Sequence, residues 1–378
     1  MEVKVLSIGQ ICKRFSSGKN ITSQNISEEG VYPVYGGNGL RGYTDTYNFE
    51  GECAIVGRQG AYCGNVKYVR GKAYMSEHAI VAVTNSEHNN KYFYYKLSLA
   101  KLGRFSGQAA QPGLSVTKLL RLKLEMPSRK YQDVIASILS TYDTLIENNT
   151  KRIRLLEKMA ENLYKEWFVR FRFPGHENVE MENGLPKGWK MTNLFDVADV
   201  TYGFAFKSNK FCDNAELNPV VRIRDIQENH TNTYTDEQCE DKYLIGKNAI
   251  LIGMDGIFHM CLWNGERAYM NQRVVMLNSK EKGVCNYLLY LAIRPQIKYW
   301  EQVISGTTVA HLGDKHLRKV KVLLPEKAIL EKANSIISRA MDEKNILQHQ
   351  NSLLACQRDL LLPRLMSGKL EVKEELLE

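Results

Sequence analysis

The chain contains the same pattern of residues twice, and this internal repeat constrains its fold more than any other feature. Gly51-Glu-Cys-Ala-Ile-Val in the first half matches Gly246-Lys-Asn-Ala-Ile-Leu in the second. Leu122-Lys-Leu-Glu-Met-Pro matches Val320-Lys-Val-Leu-Leu-Pro in the same order along the chain. A separation of about 200 residues is too long for a solenoid repeat, so the 378 residues are predicted to form two duplicated domains.

A long stretch with helical periodicity follows each half. Residues 128–173 lack proline and glycine and have apolar residues at heptad spacing, which resumes after Pro325 until Pro363, where the helix is expected to end. About 40 residues make a helix about 60 Å long, and two helices of matched length are expected to pack antiparallel. The candidates for helix pairing or partner binding are Tyr142, Leu145, Asn149, Leu156, Leu163, Trp167, Leu347, Asn351, Leu354 and Leu361.

Two asparagines interrupt these apolar stripes, Asn149 in the first helix and Asn351 in the second. A buried Asn at such a position commonly fixes the register of helix pairing at some cost in stability. An Asn that simply faces water fits the pattern equally well. The sequence leaves both interpretations open.

The globular halves mix strand-like and helix-like segments. Runs such as 53–57 and 249–253 are rich in small and β-branched residues, whereas the runs that begin at Lys91 and Asn286 have helical character. The predicted fold class is α+β, with two homologous α/β domains separated by two long antiparallel coiled-coil helices. The predicted regions are a first domain at 1–128, a long helix at 129–173, a linker at 174–188, a second domain at 189–325, and a long helix with a tail at 326–378.

The charge of the chain is uneven. The formal net charge is +9, and residues 1–128 carry 16 Lys and Arg against 9 Asp and Glu. This excess favours a polyanionic partner such as DNA, although a plain basic surface would give the same count. No apolar run approaches the ~20 residues of a membrane span, and the eight cysteines form no Cys-x-x-Cys pair, which is typical of reduced thiols in the cytoplasm.

Motifs for catalysis are missing from the sequence. It has no Asp/Asn-Pro-Pro-Tyr element, no Gly-x-x-x-x-Gly-Lys-Ser/Thr loop and no His-Glu-x-x-His pair, and His311 and His316 are interpreted as surface residues. Gly37-Asn-Gly-Leu-Arg-Gly42 formally matches a dinucleotide-binding fingerprint, but no helix start follows it, so a flexible glycine loop is favoured. Asp359 with Glu371 and Lys373 has nuclease-like spacing but lies on a helix end and a charged tail.

Several loops instead carry the residue types that contact nucleic acid. Asn can bridge N6 and N7 of adenine, Arg can bridge O6 and N7 of guanine, and bare glycine backbone can approach phosphate closely. Any one such segment is more often a plain surface loop. The DNA-binding candidates are Tyr35, Gly37, Asn38, Gly39, Arg41, Arg58, Gln59, Arg104, Ser106 and Gln108 in the first half, and Tyr202, Lys207, Arg222, Arg224, Thr307 and Thr308 in the second.

A family resemblance rests on several motifs distributed over nearly the whole chain. The chain resembles the specificity subunits of type I restriction-modification systems. The motifs that carry the resemblance are Tyr35-Gly-Gly-Asn-Gly39, Ile55-Val-Gly-Arg-Gln-Gly60, Asn149-Thr-Lys-Arg-Ile153, Leu163-Tyr-Lys-Glu-Trp-Phe168, Leu185-Pro-Lys-Gly-Trp189 and Arg358-Asp-Leu-Leu-Leu-Pro-Arg-Leu-Met-Ser-Gly368. The first half departs from the pattern because it lacks a Leu-Pro-x-Gly-Trp leader and begins at Val3-Lys-Val-Leu-Ser-Ile, which we interpret as a shortened leader.

The resemblance implies two target-recognition domains, each of which reads one half of a split, asymmetric double-stranded DNA sequence. The helices would set the spacer and bind two methyltransferase subunits, which bring S-adenosylmethionine, and restriction subunits would bring ATP-driven translocation with Mg. The chain itself would hold no cofactor or metal, would be non-catalytic, and would act in the prokaryotic cytoplasm. The alternatives are a self-contained two-domain DNA methyltransferase or nuclease, and a coiled-coil scaffold that binds proteins only.

Overall fold

The chain forms two compact units in its computed structural model, and each unit is described by itself. The first unit comprises Met1–Asn148 with Gln350–Glu378, and the second comprises Asn149–His349. Each unit therefore contains one globular half and parts of both long helices. The residues that the structure describes are 3–107, 113–304 and 310–372.

The globular half of the first unit is built on a six-stranded mixed sheet. Its elements are β1 (Val3–Ser7), α1 (Ile8–Ile11), β2 (Cys12–Ser17), β3 (Tyr32–Gly36), β4 (Gly39–Thr44), β5 (Phe49–Gly57), β6 (Val66–Met75), β7 (Ala79–Thr84), α2 (Asn90–Leu99), α3 (Val116–Leu120) and β8 (Lys123–Pro127). The strand order is β2-β7-β5-β6-β3-β4, and β3 and β6 are the parallel pair within it. A separate antiparallel pair joins β1 to β8.

Alternation of side chains explains why β5 lies in the middle of this sheet. Ala54 and Val56 face one hydrophobic cluster, which includes the buried aromatic residues of α2, whereas Cys53 and Ile55 face a second cluster on the opposite side. A strand that is apolar on both faces is stable only when both faces are covered. The predicted strand over 53–57 is therefore a central strand.

The first long helix, α4 (Arg129–Tyr164), follows β8 and continues as a single π-helical turn over Lys165–Val169. Its first turns pack Ile135 and Leu139 into the cluster that contains α2. The sequence predicted a helical region up to Phe173; the helix instead ends earlier, and Phe171 adopts a φ of 57°, which an α-helix does not allow.

The globular half of the second unit repeats the first with a smaller main sheet. Its elements are β9 (Met181–Glu182), β10 (Leu185–Pro186), β11 (Lys190–Asn193), α5 (Leu194–Val197), β12 (Ala198–Tyr202), β13 (Asn218–Val221), β14 (Tyr234–Thr235), β15 (Ile250–Gly253), β16 (Met260–Leu262), β17 (Tyr269–Met270), β18 (Val274–Ser279), α6 (Asn286–Ile304), α7 (Asp314–Leu317) and β19 (Lys321–Leu324). The sheets have the orders β12-β18-β15-β16 and β14-β13-β17, and β11 pairs with β19 just as β1 pairs with β8.

The second long helix is α8 (Lys327–Met366), and the prediction that Pro363 ends it is wrong. Proline lacks an N–H and therefore removes a single bond near the helix end, where few intrahelical bonds remain. The carbonyl of Pro363 still accepts a hydrogen bond from the N–H of Ser367 at 3.1 Å. The helix consequently continues for three more residues.

The two long helices pair antiparallel within each unit. In the first unit, Asp143 of α4 contacts Arg358 of α8 at 2.7 Å. In the second unit, Arg152 contacts Glu343 at 2.5 Å and Glu157 contacts Lys344 at 2.6 Å. Asp143 near the middle of α4 thus meets Arg358, whereas the later residues of α4 meet Glu343 and Lys344, which come earlier in α8. The two helices therefore run in opposite directions, and the predicted combination of α+β halves with long antiparallel helices is confirmed.

A half-buried carboxylate ties three helices together in the first unit. The carboxylate of Asp143 accepts hydrogen bonds from the Tyr95 hydroxyl at 2.5 Å and from Arg358 at 2.7 Å, and it pairs with Lys91 at 2.9 Å. Burial would raise the pKa of Asp143, but these three donors outweigh it and hold the pKa below the ordinary 3.8. Helices α2, α4 and α8 thus meet at one charge.

The candidates for helix pairing divide into buried and exposed residues. Leu347 and Asn149 are buried, so the interpretation that Asn149 faces water is wrong. Leu145 is 45% exposed in the first unit, so it does not serve in helix pairing there and stays a candidate for partner binding only. The half-buried candidates are Tyr142, Leu156, Leu163, Trp167, Asn351, Leu354 and Leu361, of which Leu156, Leu163, Trp167 and Leu361 pack against the cores of their own units.

Candidate nucleic-acid interface

The glycine-rich segment predicted to contact DNA is a tight β-hairpin. Strands β3 and β4 pair from Tyr32 with Thr44 to Gly36 with Gly39, and the residues Gly37 and Asn38 make the turn. Gly39 has a φ of +100°, a conformation that a residue with a Cβ rarely adopts. Because a strand follows the glycines where a dinucleotide fold needs a helix, the dinucleotide alternative is wrong, and so is the expectation of a flexible loop.

The hairpin turn lies directly against the loop that follows β5. A Cβ added to Gly57 would come within 2.3 Å of the carbonyl oxygen of Gly37, so the two backbones touch. Arg58 and Gln59 follow immediately, and the Arg58 guanidinium donates to the Ser17 hydroxyl at 3.2 Å. Asn38, Arg41 and Gln59 are exposed, Arg58 and Tyr35 are half-buried, and Gly39 is buried. The fold thus gathers two predicted segments onto one edge of the sheet.

A cationic groove adjoins this edge. Lys67, Lys101 and Arg104 line it, and none of the described residues that line it is acidic. The backbones of Gly64 and Gly103 are in close contact within this groove, because a Cβ on Gly64 would lie 2.2 Å from the N atom of Gly103. A concave surface with three cations and no carboxylate is suited to a phosphate backbone.

The loop that carries Ser106 packs behind the same edge. The Ser106 hydroxyl accepts a hydrogen bond from the N–H of Gly113 at 2.8 Å, and Gly113 forms a β-bridge with Gln59. Burial raises the pKa of the neighbouring Cys63 thiol, so that thiol stays protonated and is a poor nucleophile. Through Gly113, Ser106 is connected to the edge at Gln59. The predicted site residue Gln108 lies outside the described residues.

The second half builds the same edge with the same backbone hydrogen bonds. The N–H of Arg58 donates to the carbonyl of His78 at 2.9 Å, and the N–H of Met254 donates to that of Arg273 at 2.9 Å. The carbonyls of Arg58 and Met254 in turn accept from Leu114 and Leu312, each at 2.8 Å. One β-bridge is also shared: Gln59 bridges Gly113 in the first half, and Asp255 bridges His311 in the second.

The point of closest backbone approach is also repeated. A Cβ on Gly18 would lie 2.1 Å from the carbonyl oxygen of Met75 and 2.5 Å from that of Ser76. One on Gly203 would lie 2.8 Å from the carbonyl oxygen of Met270 and 2.0 Å from that of Asn271, the corresponding pair. The duplication inferred from the sequence is therefore present at the level of single backbone contacts. The shared hydrogen bonds and bridges fix the register of the two edges: Gln59 corresponds to Asp255, and His78 corresponds to Arg273.

The predicted arginines of the second half occupy the position of the hairpin turn. The carbonyl of Tyr35 accepts a hydrogen bond from the N–H of Ser76 at 2.9 Å, and the carbonyl of Val221 accepts one from the N–H of Asn271 at 3.0 Å. The end of β13 at Val221 therefore corresponds to the end of β3 at Tyr35. Arg222 and Arg224 follow β13 at the place where the hairpin turn follows β3. The carboxylate of Asp225 is buried and accepts from the N–H of Arg222 at 2.9 Å. Arg224 is exposed, its Nε lies 3.6 Å from Asp225 and it donates to the Thr233 hydroxyl at 3.3 Å.

The remaining DNA-binding candidates of the second half differ in their exposure and in whether their side chains are already hydrogen-bonded. The Tyr202 hydroxyl donates to Asp314 at 2.9 Å and is half-buried, and burial is the largest cause that raises its pKa. That hydroxyl is therefore engaged inside its own domain. Lys207 is exposed, and its backbone N–H donates to Glu237 at 3.0 Å. The predicted site residues Thr307 and Thr308 lie outside the described residues.

Several residues of this edge were missed by sequence reasoning. The Asp255 carboxylate lies 2.6 Å from Nδ1 of His311 and 3.3 Å from Nε of Arg273. The interpretation of His311 as a surface residue is correct, yet it left out this contact. The sequence match of Gly51 with Gly246, extended without a gap, aligns Asp255 with Gly60. It is therefore one residue out of register with the backbone hydrogen bonds, which pair Asp255 with Gln59.

The structure provides nothing that resembles a catalytic metal centre within its described residues, where no group of three or more His, Cys, Asp or Glu residues is placed to hold a metal ion. Asp359 is on α8 and Glu371 lies beyond its end, while Lys373 is outside the described residues. Among those same residues, no helix is both long and apolar enough to cross a lipid bilayer.

Comparison with known proteins agrees with this duplicated architecture. The family described as "Type I restriction modification DNA specificity domain" matches residues 1–158 and 186–353. The chain therefore belongs to the type I restriction-modification DNA specificity family. The predicted resemblance is confirmed.

Individual relatives and one solved structure are similar to different extents. The chain is 39% identical to the type I restriction enzyme EcoprrI specificity subunit of Escherichia coli over 43% of its own length and 41% of that protein. It is 26% identical to the MjaIX specificity subunit of Methanocaldococcus jannaschii over 75% of its own length and 70% of that protein. A crystal structure of the type I restriction-modification S subunit from M. genitalium has the same fold, with a TM-score of 0.65, 16% identity, and coverage of 97% of this chain and 96% of that one.

Proposed function

We propose that the chain is a DNA-reading specificity subunit in which each globular half binds one half of a split DNA sequence. The observation that carries this proposal is the duplicated edge, which uses the same backbone hydrogen bonds in both halves but different polar side chains. Arg58 and Gln59 stand in the first half where Met254 and Asp255 stand in the second. Base edges are distinguished by donors and acceptors, so two such sets on one frame suit two different half-sites.

The charge distribution supports binding along the DNA backbone. Residues 1–128 carry a net charge of +7, and the groove of Lys67, Lys101 and Arg104 lies beside the polar edge. Each phosphate that a cation neutralises releases counterions, which supplies affinity without sequence preference. The groove is therefore assigned to positioning, and the edge to discrimination between bases.

The long helices are proposed to dock methyltransferase subunits, one on each unit. Exposed apolar side chains support this, because surface apolar groups at helical spacing commonly mark protein contacts. In the first unit these are Leu145, Leu353 and Leu360, with exposures of 45%, 51% and 60%. In the second unit they are Leu155, Met159 and Ile346, with exposures of 66%, 44% and 58%.

The chemistry itself is assigned to partner subunits. We propose that methyltransferase subunits bring S-adenosylmethionine for adenine methylation, and that restriction subunits bring ATP and Mg for translocation and cleavage. The chain would then be non-catalytic and would act on chromosomal and incoming DNA in the prokaryotic cytoplasm. The missing phosphate-binding loop and Pro-Pro-Tyr element in the sequence support this assignment.

The helices are further proposed to determine the spacer between the two half-sites. Helix α4 contains 36 residues and α8 contains 40. At 1.5 Å per residue these lengths correspond to about 54 and 60 Å, less than two turns of DNA at about 34 Å each. Insertion of whole helical turns into both helices is therefore expected to lengthen the spacer and to leave both half-sites unchanged.

The test is to coexpress the chain with its methyltransferase subunit and to map methylated adenines across the genome. The expected result is a split motif with a fixed spacer that is absent when the chain is omitted. Methylation that persists unchanged without the chain would contradict the proposal and favour the protein-only scaffold. Methylation by the purified chain alone would favour the self-contained enzyme.

Exchange of single halves tests the modular part of the proposal. A chimera that carries the second globular half of another specificity subunit should change one half-site and retain the other with the original spacer. The matched control is the reciprocal exchange of the first half, which should alter the opposite half-site. A motif that changes in both halves at once would contradict independent reading.

A further inference from the structure

The cluster at the edge of the second half has a chemistry that the first half lacks. Asp255 takes the place of Gln59, and Arg273 takes the place of His78, because the backbone bonds at these positions are the same. In the first half, the His78 imidazole contacts the carboxylate of Glu77 at 3.0 Å. In the second half a guanidinium occupies that position and is held by a carboxylate from a neighbouring loop.

The geometry of the contact leaves the outer face of Arg273 available. The carboxylate of Asp255 lies 3.3 Å from Nε of Arg273, the inner nitrogen of the guanidinium. Its other oxygen lies 2.6 Å from Nδ1 of His311. The Arg273 side chain is 55% exposed and that of Asp255 is 26% exposed, so the arginine projects beyond the carboxylate that holds it. The guanidinium is planar, and its two terminal amino groups lie beyond the Nε that the carboxylate approaches.

That arrangement matches one base better than the others. Guanine presents two acceptors, O6 and N7, in the major groove, and a guanidinium with both terminal amino groups available can bond to both at once. An anchored side chain loses less rotational freedom on binding than a free one. A carboxylate that already faces His311 and Arg273 is poorly placed to act as the principal contact, since phosphates repel it and its two oxygens are engaged.

We propose that Arg273 reads a guanine in the half-site of the second domain, and that Asp255 is a positioning residue that fixes the Arg273 guanidinium. This inference rests on the proposed function and makes it more specific, because it names one residue and one base. The first domain, with Arg58 and Gln59 at its edge, reads its half-site with a different set of donors. The asymmetry of the two half-sites then follows from the side chains on the repeated frame.

The test uses the chain coexpressed with its methyltransferase subunit, with methylated sites mapped for each variant. Arg273→Gln should remove the preference for guanine at one position of the second half-site and lower discrimination there roughly 5- to 150-fold. The first half-site and the spacer should stay the same. Arg267→Gln is the matched control, because Arg267 is exposed at the opposite end of β17 from Arg273 and should leave the motif unchanged.

Asp255→Asn separates positioning from a merely structural role. It should relax preference at the same base position as Arg273→Gln, to a smaller extent, and the double variant should be no more relaxed than Arg273→Gln alone. A structural role would lower methylation at all sites without altering the motif. That result, or a guanine preference that survives Arg273→Gln, would overturn the inference.

Other outcomes are equally distinct. Loss of a cytosine preference in Asp255→Asn, with Arg273→Gln unchanged, would make the carboxylate itself the reading group and overturn the assignment to Arg273. Absence of any split motif with the unaltered chain would refute the proposed function. A split motif that depends on the chain but not on Arg273 would refute only the present inference.

Discussion

The two globular halves share the same backbone hydrogen bonds at one edge and differ in the side chains that this backbone carries. In both, a strand buried on two faces leads into a loop whose N–H and carbonyl bond to the same neighbours, as with Arg58 and Met254. The displayed side chains are Arg58 and Gln59 in one half and Asp255 with Arg273 in the other. The comparison shows that the frame fixes where recognition can occur, while the side chains decide what is recognised.

The halves also differ in how the helix beside the sheet ends. Helix α2 has 10 residues, whereas α6 has 19 and extends past Pro295. The extension reaches the edge loop of the second half, where Glu301 accepts a hydrogen bond from the N–H of Phe258 at 2.8 Å. The second edge is therefore braced by a helix, and the first by the short turn that carries Arg104.

The largest effect is expected from adding a Cβ at the two equivalent glycines where the backbone of each half is in closest contact. Gly18→Ala and Gly203→Ala would each place a Cβ about 2 Å from a backbone carbonyl oxygen, so the backbone must shift. Each should lower the free energy of unfolding by about 3 kcal/mol and abolish recognition of its own half-site only. Denaturant unfolding and methylation mapping check this.

The control for these variants is Gly246→Ala, where an added Cβ meets no described atom within 4 Å. It should leave stability within about 0.5 kcal/mol of the unaltered chain. If Gly203→Ala were as harmless as Gly246→Ala, the close approach would not be essential to the frame.

A smaller effect is expected from the helix pairing, which differs between the units. Asp143→Asn should lower the free energy of unfolding by about 2–3 kcal/mol, because it removes the charge that Lys91, Tyr95 and Arg358 share in a partly buried site. Arg152→Gln in the second unit should cost less than about 1 kcal/mol, since Arg152 and Glu343 are about half exposed. Similar midpoints of denaturant unfolding for the two variants would contradict this contrast.

The same carboxylate predicts a pH dependence. The pKa of Asp143 lies below 3.8 in the folded chain, so its stabilising contribution is complete above that pH and is lost as the pH falls through the folded value. Unfolding measured from pH 5 downward should therefore show a steeper loss of stability in the unaltered chain than in Asp143→Asn. Identical slopes would mean that Asp143 does not contribute through its charge.

Discrimination by the first half is expected to depend on Arg58. Arg58→Gln should weaken preference at one position of the first half-site by about 1–3 kcal/mol, because a bidentate contact to a base is lost. Met254→Leu, at the equivalent position of the second half, is the control and should leave both half-sites unchanged. An altered second half-site in Arg58→Gln would contradict independent reading by the two edges.

The smallest effect is expected in the cationic groove. Lys101→Gln and Arg104→Gln should each weaken DNA binding evenly across sequences and reduce the slope of log K against log salt concentration by about 1. Lys187→Gln is the control, because Lys187 pairs with Glu180 on the surface of the second unit. A change in the methylated motif would contradict the assignment of Lys101 and Arg104 to phosphate contact and would indicate that they contact bases.

Much of this architecture could be predicted from the sequence because local pattern and tertiary environment agree. The run Cys53–Gly57 is apolar at every position, which suits a strand covered on both faces, and it is the centre of the first sheet. Heptad spacing likewise predicted the long helices. Heptad spacing alone did not distinguish Leu145, which is exposed, from Leu347, which is buried, because periodicity identifies a face of a helix but not what covers it.

The sequence by itself determined the duplication, the α+β halves, the antiparallel helices and the family, since all of these rest on repeated order and periodicity. Only the tertiary structure brought Asp255, Arg273 and His311 together, because they come from three separate segments that backbone hydrogen bonds join at one edge. Only the tertiary structure could likewise place the hairpin turn at Gly37 against Gly57, because the backbones of these two residues come from separate segments and touch. Contacts between distant segments are set by the packing of the sheet, which no local pattern encodes.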